Sequence, residues 1–285
     1  MRTRFLAGMI YLLSGMIGVA AFAYPFLDLE GAAAAQDSAS SLLSTPLLTS
    51  VVLVLCLLAL LIELQGEATS AKVVAALGML VSAASVLRFV ETAIPGPGGF
   101  SPIFAPVILA GYVFGARFGF LMGSFTLLVS ALITGGIGPW FPYQMFVAGW
   151  VGFRAGLLPH PAHPRLELLL LLVVGVVWGL LFGFITNLYF WPFFTGEVGQ
   201  SLEAGVGMMA NVRHYLAFYA TTSLLWDMAR AVGNVLLLLV LGMPTVRALS
   251  RFRDRFQFTV APGVDLRQEP AAAGSSRADV VKGTP

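Results

Sequence analysis

Apolar residues run along this chain in long unbroken blocks, and polar positions gather in the short stretches between them. About 20 consecutive apolar residues make a helix long enough to cross the ~30 Å hydrocarbon core of a bilayer. Eight such blocks are legible, over residues 5–27, 46–64, 70–90, 101–115, 117–135, 142–158, 166–190 and 214–246. In hydrocarbon every backbone N–H and C=O needs an internal partner, so each block predicts an α-helix. The blocks are continuous rather than alternating with period two, which argues against a membrane β-barrel. The predicted fold is therefore an all-α integral membrane protein of about eight transmembrane helices. The fourth block is short, and its boundary with the fifth falls at Gly115-Ala116-Arg117.

Composition agrees with this pattern. Of 285 residues, 58% are hydrophobic and 11% charged, whereas a soluble domain carries about 25% charged residues. Mean hydropathy is +0.87. A net charge of +2 then reports topology rather than nucleic-acid binding. Arg2 and Arg4 precede the first block, Lys72 opens the third, and Arg117 lies between the fourth and fifth. Arg154 and Arg165 flank the loop after the sixth, and Arg247, Arg251, Arg253 and Arg255 follow the eighth. All fall on one side if both termini are cytoplasmic, the side that basic residues favour. The opposite loops carry Asp28, Glu30, Asp37, Glu91, Glu197 and Glu203. The expectation is a multi-pass protein of the cell membrane with both ends inside. Arg2, Arg4 and Ala21-Phe22-Ala23 also resemble a cleavable signal peptide, but the apolar run continues to Leu27 and favours an uncut anchor.

Several function classes lose their chemistry. No Gly-x-x-x-x-Gly-Lys-Ser/Thr loop is present, so the chain carries no standard site for ATP phosphates. No series of intramembrane carboxylates forms a proton relay, and no inverted repeat marks a secondary carrier. Ser130 and Ser223 have no His or Lys partner at membrane depth, so an enzyme is not predicted. Cys56 is the single cysteine and excludes an internal disulfide. His160-Pro161-Ala162-His163 reads as a solvated turn, His214 stands alone, and neither predicts a metal site. No cofactor is predicted. A binding subunit driven by partners, or a membrane scaffold without a ligand, is left.

Three motifs favour the first. Gly138-Pro139-Trp140-Phe141-Pro142-Tyr143-Gln144 is a rigid aromatic turn at the mouth of a block, with Gly149 and Gly152 following. Asn187-Leu188-Tyr189-Phe190-Trp191-Pro192 closes the seventh block. Thr222-Ser223-Leu224-Leu225-Trp226-Asp227-x-x-Arg230 lies in the eighth, with Asn234, Gly242 and Pro244 behind it. With these motifs, residues from about Ala71 to Phe258 resemble the substrate-binding S component of energy-coupling factor (ECF) vitamin transporters. The resemblance implies a six-helix S-component-like core over 70–260, preceded by two additional transmembrane helices over 1–69. Residues 261–285, rich in Ala, Gly, Ser and charges, read as a disordered cytoplasmic tail. The two extra helices depart from the family's pattern.

The resemblance also implies partners: a transmembrane coupling subunit and two cytoplasmic ATPases that drive delivery of a vitamin or metal ion captured outside. Family members contact the coupling subunit through an Ala-x-x-x-Ala pattern on the first core helix, which Ala71 and Ala75 match, with Gly78 and Ser82 extending the stripe. Small side chains permit close helix approach in lipid, whether to a partner or within the chain.

Candidate substrate-binding residues follow from depth and chemistry. Asp227 and Arg230 are three apart, share a helix face and can pair. Charges within a span suggest function by default, with a structural ion pair as the alternative. Asn187 needs a partner for its amide, and Tyr189 and Trp191 can stack on a flat ring or simply anchor at the interface. Trp140, Gln144 and Trp226 extend the aromatic and amide set. The remaining candidates are Arg88, which can pair with Glu91, and Phe100, in the loop Pro95-Gly96-Pro97-Gly98-Gly99-Phe100; that loop reads as a lid or a simple connection. Aromatics and neutral amides suit a large, partly apolar vitamin. The resemblance points first to cobalamin or a related corrinoid, with riboflavin, thiamine and their precursors open.

Overall fold

The computed structural model describes residues 70–94, 98, 100–138, 140–194, 196–203 and 205–256, and the isolated helical positions Met9, Met16, Val19, Phe22 and Val54. The blocks 5–27 and 46–64 and the tail 261–285 otherwise lie outside the described residues. Among those described, the elements are α1 (Ser70–Ala93), α2 (Phe104–Phe114), α3 (Ala116–Thr134), α4 (Phe141–Ala155) and α5 (Pro164–Phe190). A 3-10 turn, Trp191–Phe193, extends α5. Then come α6 (Met208–Thr222), α7 (Leu224–Leu237), a π-helical turn (Leu238–Gly242) and α8 (Met243–Phe256).

Four of these helical stretches are long and apolar enough to cross a membrane: Lys72–Ala93, Ala116–Thr134, Pro164–Phe193 and Leu224–Arg255. The block read as one helix over 214–246 is in fact two. α6 ends at Thr222, Ser223 leaves helical geometry at φ −128° and ψ −23°, and α7 starts afresh at Leu224. Hydroxyls help the chain accept this break. Thr221 and Thr222 donate back to the carbonyls of Ala217 (3.0 Å) and Phe218 (2.7 Å), competing with the continuing helix. The spanning segment therefore starts at Leu224 and reaches Arg255. Its π-helical turn ends two residues before Pro244, whose missing N–H and bulky ring oppose a regular α-helical turn there.

Glycines set the packing. α3 lies between α1 and α4, α4 packs on α5, and α5 packs on α7. A Cβ on Gly152 of α4 would run into the backbone carbonyl of Gly119 on α3, and one on Gly111 or Gly119 would meet the carbonyl of Gly152. The recurrence of Gly111, Gly115, Gly119 and Gly123 therefore serves close packing of α2, α3 and α4. Gly115 itself makes the turn between α2 and α3 at φ +96°, a conformation that disfavours a side chain. On α5, Gly179 faces the backbone of Ala231, and Gly183 faces the carboxylate of Asp227. Ile108, Met122, Met145, Val151 and Leu171 fill the core between these helices. Phe22, from the N-terminal block, packs edge-on against Tyr143 with ring centroids 4.9 Å apart.

Packed neighbours run antiparallel, which sorts the charges by end. Gly119 and Gly123 of α3 meet Gly152 and Ala148 of α4, and Gly175, Gly179 and Gly183 of α5 meet Asn234, Ala231 and Asp227 of α7. Lys72, Arg117, Arg154, Arg165 and the four arginines of α8 gather at one end, the basic end. The antiparallel contacts agree: Arg253 donates to the Val113 carbonyl (2.8 Å), and the Tyr112 hydroxyl to Glu167 (3.0 Å). His160 is not merely solvated, since its ring stacks on Tyr112 at 4.3 Å and its Nε2 lies 3.1 Å from the Tyr112 carbonyl. Glu91, Glu203 and Asp227 belong to the opposite end.

Candidate functional site

At that opposite end, the end of α5, the loop after it and the first half of α6 enclose an open-sided cavity of about 610 Å³. Phe184, Leu188 and Trp191 form one wall, Met208, Val212, Tyr215 and Leu216 the other, and Leu202 and Glu203 the rim. The loop is held in place by side chains. Asn211 donates to the Glu203 carbonyl (2.9 Å) and accepts from the Glu203 N–H (3.0 Å), so one amide fastens the loop to α6. Trp191 donates its indole N–H to the Gln200 carbonyl (2.8 Å), and a ring nitrogen of His214 bonds the Ser201 carbonyl (3.0 Å). Tyr215 donates to the Phe184 carbonyl and meets Trp191 edge-on at 5.0 Å. Tyr215, Trp191 and Asn211 thus engage their polar groups internally and present ring faces and methylenes to the space.

A charged network lies one helical turn further on. Tyr219 donates to one oxygen of Asp227 (2.9 Å), and Arg230 pairs with the other. Arg230 also donates to the Gly179 carbonyl (3.3 Å) and lies over the rings of Phe104 and Phe182, at 5.8 and 5.2 Å. Close by, Arg88 pairs with Glu91 (3.1 Å), and Ser101 donates to the second Glu91 oxygen (2.9 Å). Two buried atoms, Arg230 Nε and Asn234 Oδ1, have no hydrogen-bond partner among the described residues. Asn234 nevertheless fixes α7 to α5 by donating to the Gly175 carbonyl (2.9 Å).

The ten residues nominated from the sequence do not line one cavity. Trp191 is the one of them on the cavity wall. Asp227 is 2% exposed, with both carboxylate oxygens engaged, and sits behind α6 with Arg230. Arg88 belongs to the Glu91–Ser101 cluster. Phe100 packs against the Cα of Gly233, and Trp226, 54% exposed, lies over Gly98. Tyr189 turns the other way and packs on Tyr143, ring centroids 4.3 Å apart. Asn187 is half-buried on the neighbouring face of α5. Trp140, 49% exposed, precedes α4, and Gln144 is half-buried in its first turn. Sequence reasoning missed Asn211, Tyr215 and Tyr219. All three lie on α6, which hydropathy alone merges with α7 into one long span. Gly205 and Gly207, both at positive φ, were the available signal that a new helix starts at Met208.

A helical membrane core with an aromatic cavity at one end defines the class: an all-helical membrane protein with room for a small molecule at the end opposite its basic residues. The family model for the ECF transporter substrate-specific component matches residues 72–242, more than half of the chain. The chain belongs to that family. No curated protein and no solved structure matches it.

Proposed function

We propose that this chain captures a vitamin or related micronutrient at the cell exterior and passes it inward with a coupling subunit and two ATPases. The aromatic cavity at the end opposite the basic residues is the observation that carries this reading. Its ~610 Å³ falls within the 300–1,000 Å³ typical of small-molecule sites, and its apolar lining is of the usual kind. Basic residues favour the cytoplasmic side, which turns the cavity outward and leaves both termini inside.

The sequence resemblance makes cobalamin or a related corrinoid the first substrate to test. A corrinoid with its nucleotide loop is larger than the cavity, so it would bind with part of the ring outside the open mouth. Riboflavin and thiamine would fit within. The Arg88, Phe100 and Trp226 group beside the 95–100 loop would serve closure over the ligand, and the Asp227–Arg230 pair would brace α5 against α7. Trp140, Gln144, Asn187 and Tyr189 would contribute only if closure draws the α4 and α5 ends together.

The coupling contact falls on α1. Ala75 and Ser82 are exposed, and a Cβ on Gly78 would meet nothing within 4 Å, so the small-residue stripe is open among the described residues. Ala71 precedes it by one turn. The membrane end of a coupling subunit would approach closely there.

Thermal unfolding of the purified full chain with cobalamin, riboflavin and thiamine tests the reading. A ligand at 100 times its dissociation constant stabilises the native state by about 2.7 kcal/mol. A shift with one of the three supports a binding subunit. No shift with any member of the panel would favour a scaffold instead.

A further inference from the structure

A second crevice, of about 310 Å³, opens between the end of α4 and the middle of α5. Leu157, Leu158, Val174, Val177 and Trp178 line it, and Arg154 stands at its edge. Leu157 and Val177 are exposed, so the crevice faces outward from the helix bundle. Arg154 is also exposed, and its side chain makes no hydrogen bond or ion pair among the described residues. The geometry points to a binding site for one anionic phospholipid, with its phosphate on the Arg154 guanidinium and an acyl chain along Val174, Val177 and Trp178.

Depth supports the assignment. The spanning segment Pro164–Phe193 has 30 residues, which at 1.5 Å per residue is about 45 Å long. It exceeds the ~30 Å hydrocarbon core by about 15 Å. Val174 lies ten residues from the start of α5, again about 15 Å along the axis. Gly156 abuts Ala116 at the start of α3, so Arg154 and Arg117 share the level of the α2–α3 turn at the basic end. The crevice runs from there along α5, and the flexible Arg154 side chain can reach the phosphate level. The basic end collects Lys72, Arg117, Arg165 and the α8 arginines, and so marks the anionic leaflet. A guanidinium beside an apolar groove matches a lipid phosphate above its own chains, and basic pockets between helices on that side are known lipid sites. This face is also separate from the proposed coupling surface, because α1 packs chiefly on α3 rather than on α4 or α5.

Native mass spectrometry of the full chain, released from nanodiscs of equal phosphatidylglycerol and phosphatidylcholine, tests the site. Wild type should retain one phosphatidylglycerol in preference to phosphatidylcholine. Arg154→Gln should weaken that retention about tenfold, the scale of one lost charge-assisted hydrogen bond. Val177→Trp, which fills the groove and keeps the charge, should weaken it too, whereas Arg154→Lys should retain most of it. Equal retention of both lipids by wild type would overturn the proposal, as would an unchanged preference in Arg154→Gln. Soluble glycerol phosphate stabilising the protein as well as the lipid would assign a free-phosphate site and overturn it. Displacement of the lipid by a bound coupling subunit would make the crevice a protein contact and overturn it as well.

Discussion

Asp227 shows what a single charge does at membrane depth. Burying a carboxylate is tolerable only with partners, and it has two: the Tyr219 hydroxyl and the Arg230 guanidinium. Removing one member of such a pair leaves the other charge uncompensated. Asp227→Ala should therefore destabilise the protein by about 3–5 kcal/mol, read as loss of monodisperse folded protein on gel filtration or a large drop in unfolding temperature. Tyr219→Phe deletes one neutral donor to the carboxylate and should cost less, about 1–2 kcal/mol. If Asp227→Ala folds as stably as wild type yet loses ligand, the pair serves the ligand rather than the bracing of α5 on α7. At the cavity, Trp191→Ala removes a wall ring and the anchor on the Gln200 carbonyl. It should reduce ligand affinity at least tenfold in titration calorimetry, about 1.4 kcal/mol or more.

At the scale of elements, glycine contacts and loop anchors decide the geometry. The α3–α4 crossing brings the backbones together at Gly119 and Gly152, so Gly152→Leu must push two helices apart. Overpacking of this kind costs about 1–3 kcal/mol or more, and a lowered unfolding temperature without ligand would report it. Asn211 fastens the 196–207 loop to α6 by a reciprocal pair of hydrogen bonds. Asn211→Ala should release that loop, speed hydrogen exchange at Glu203 and raise the ligand off-rate, with little effect on global stability. The glycine stripes were legible in the sequence as repeats of four. The Asn211–Glu203 bond was not, because an amide in a polar stretch has many possible partners and the chain path selects one.

For the whole molecule, capture and coupling sit on different surfaces. The cavity lies between α5 and α6, and the open small-residue stripe lies on α1, which packs chiefly on α3 rather than on either of them. Ala75→Trp should therefore abolish uptake in cells expressing the coupling subunit and ATPases while leaving ligand stabilisation of the purified chain intact. Loss of both activities together would mean that α1 contributes to the cavity after all.

Long apolar runs and the one-sided placement of basic residues were enough to determine a helical membrane protein, and the three aromatic motifs carried the resemblance to its family. The reason is that a bilayer allows few backbone solutions and penalises charge at depth. Five of the six core blocks became helices close to the positions their hydropathy indicated. What hydropathy could not decide was the break at Ser223, since α6 and α7 are each apolar enough to read as one span. Nor could it decide which aromatics meet. Trp191 and Tyr189 are two residues apart, yet one lines the cavity and the other packs on Tyr143. That choice depends on the rotation of α5 against its neighbours, and close packing of helices that are distant in sequence fixes it.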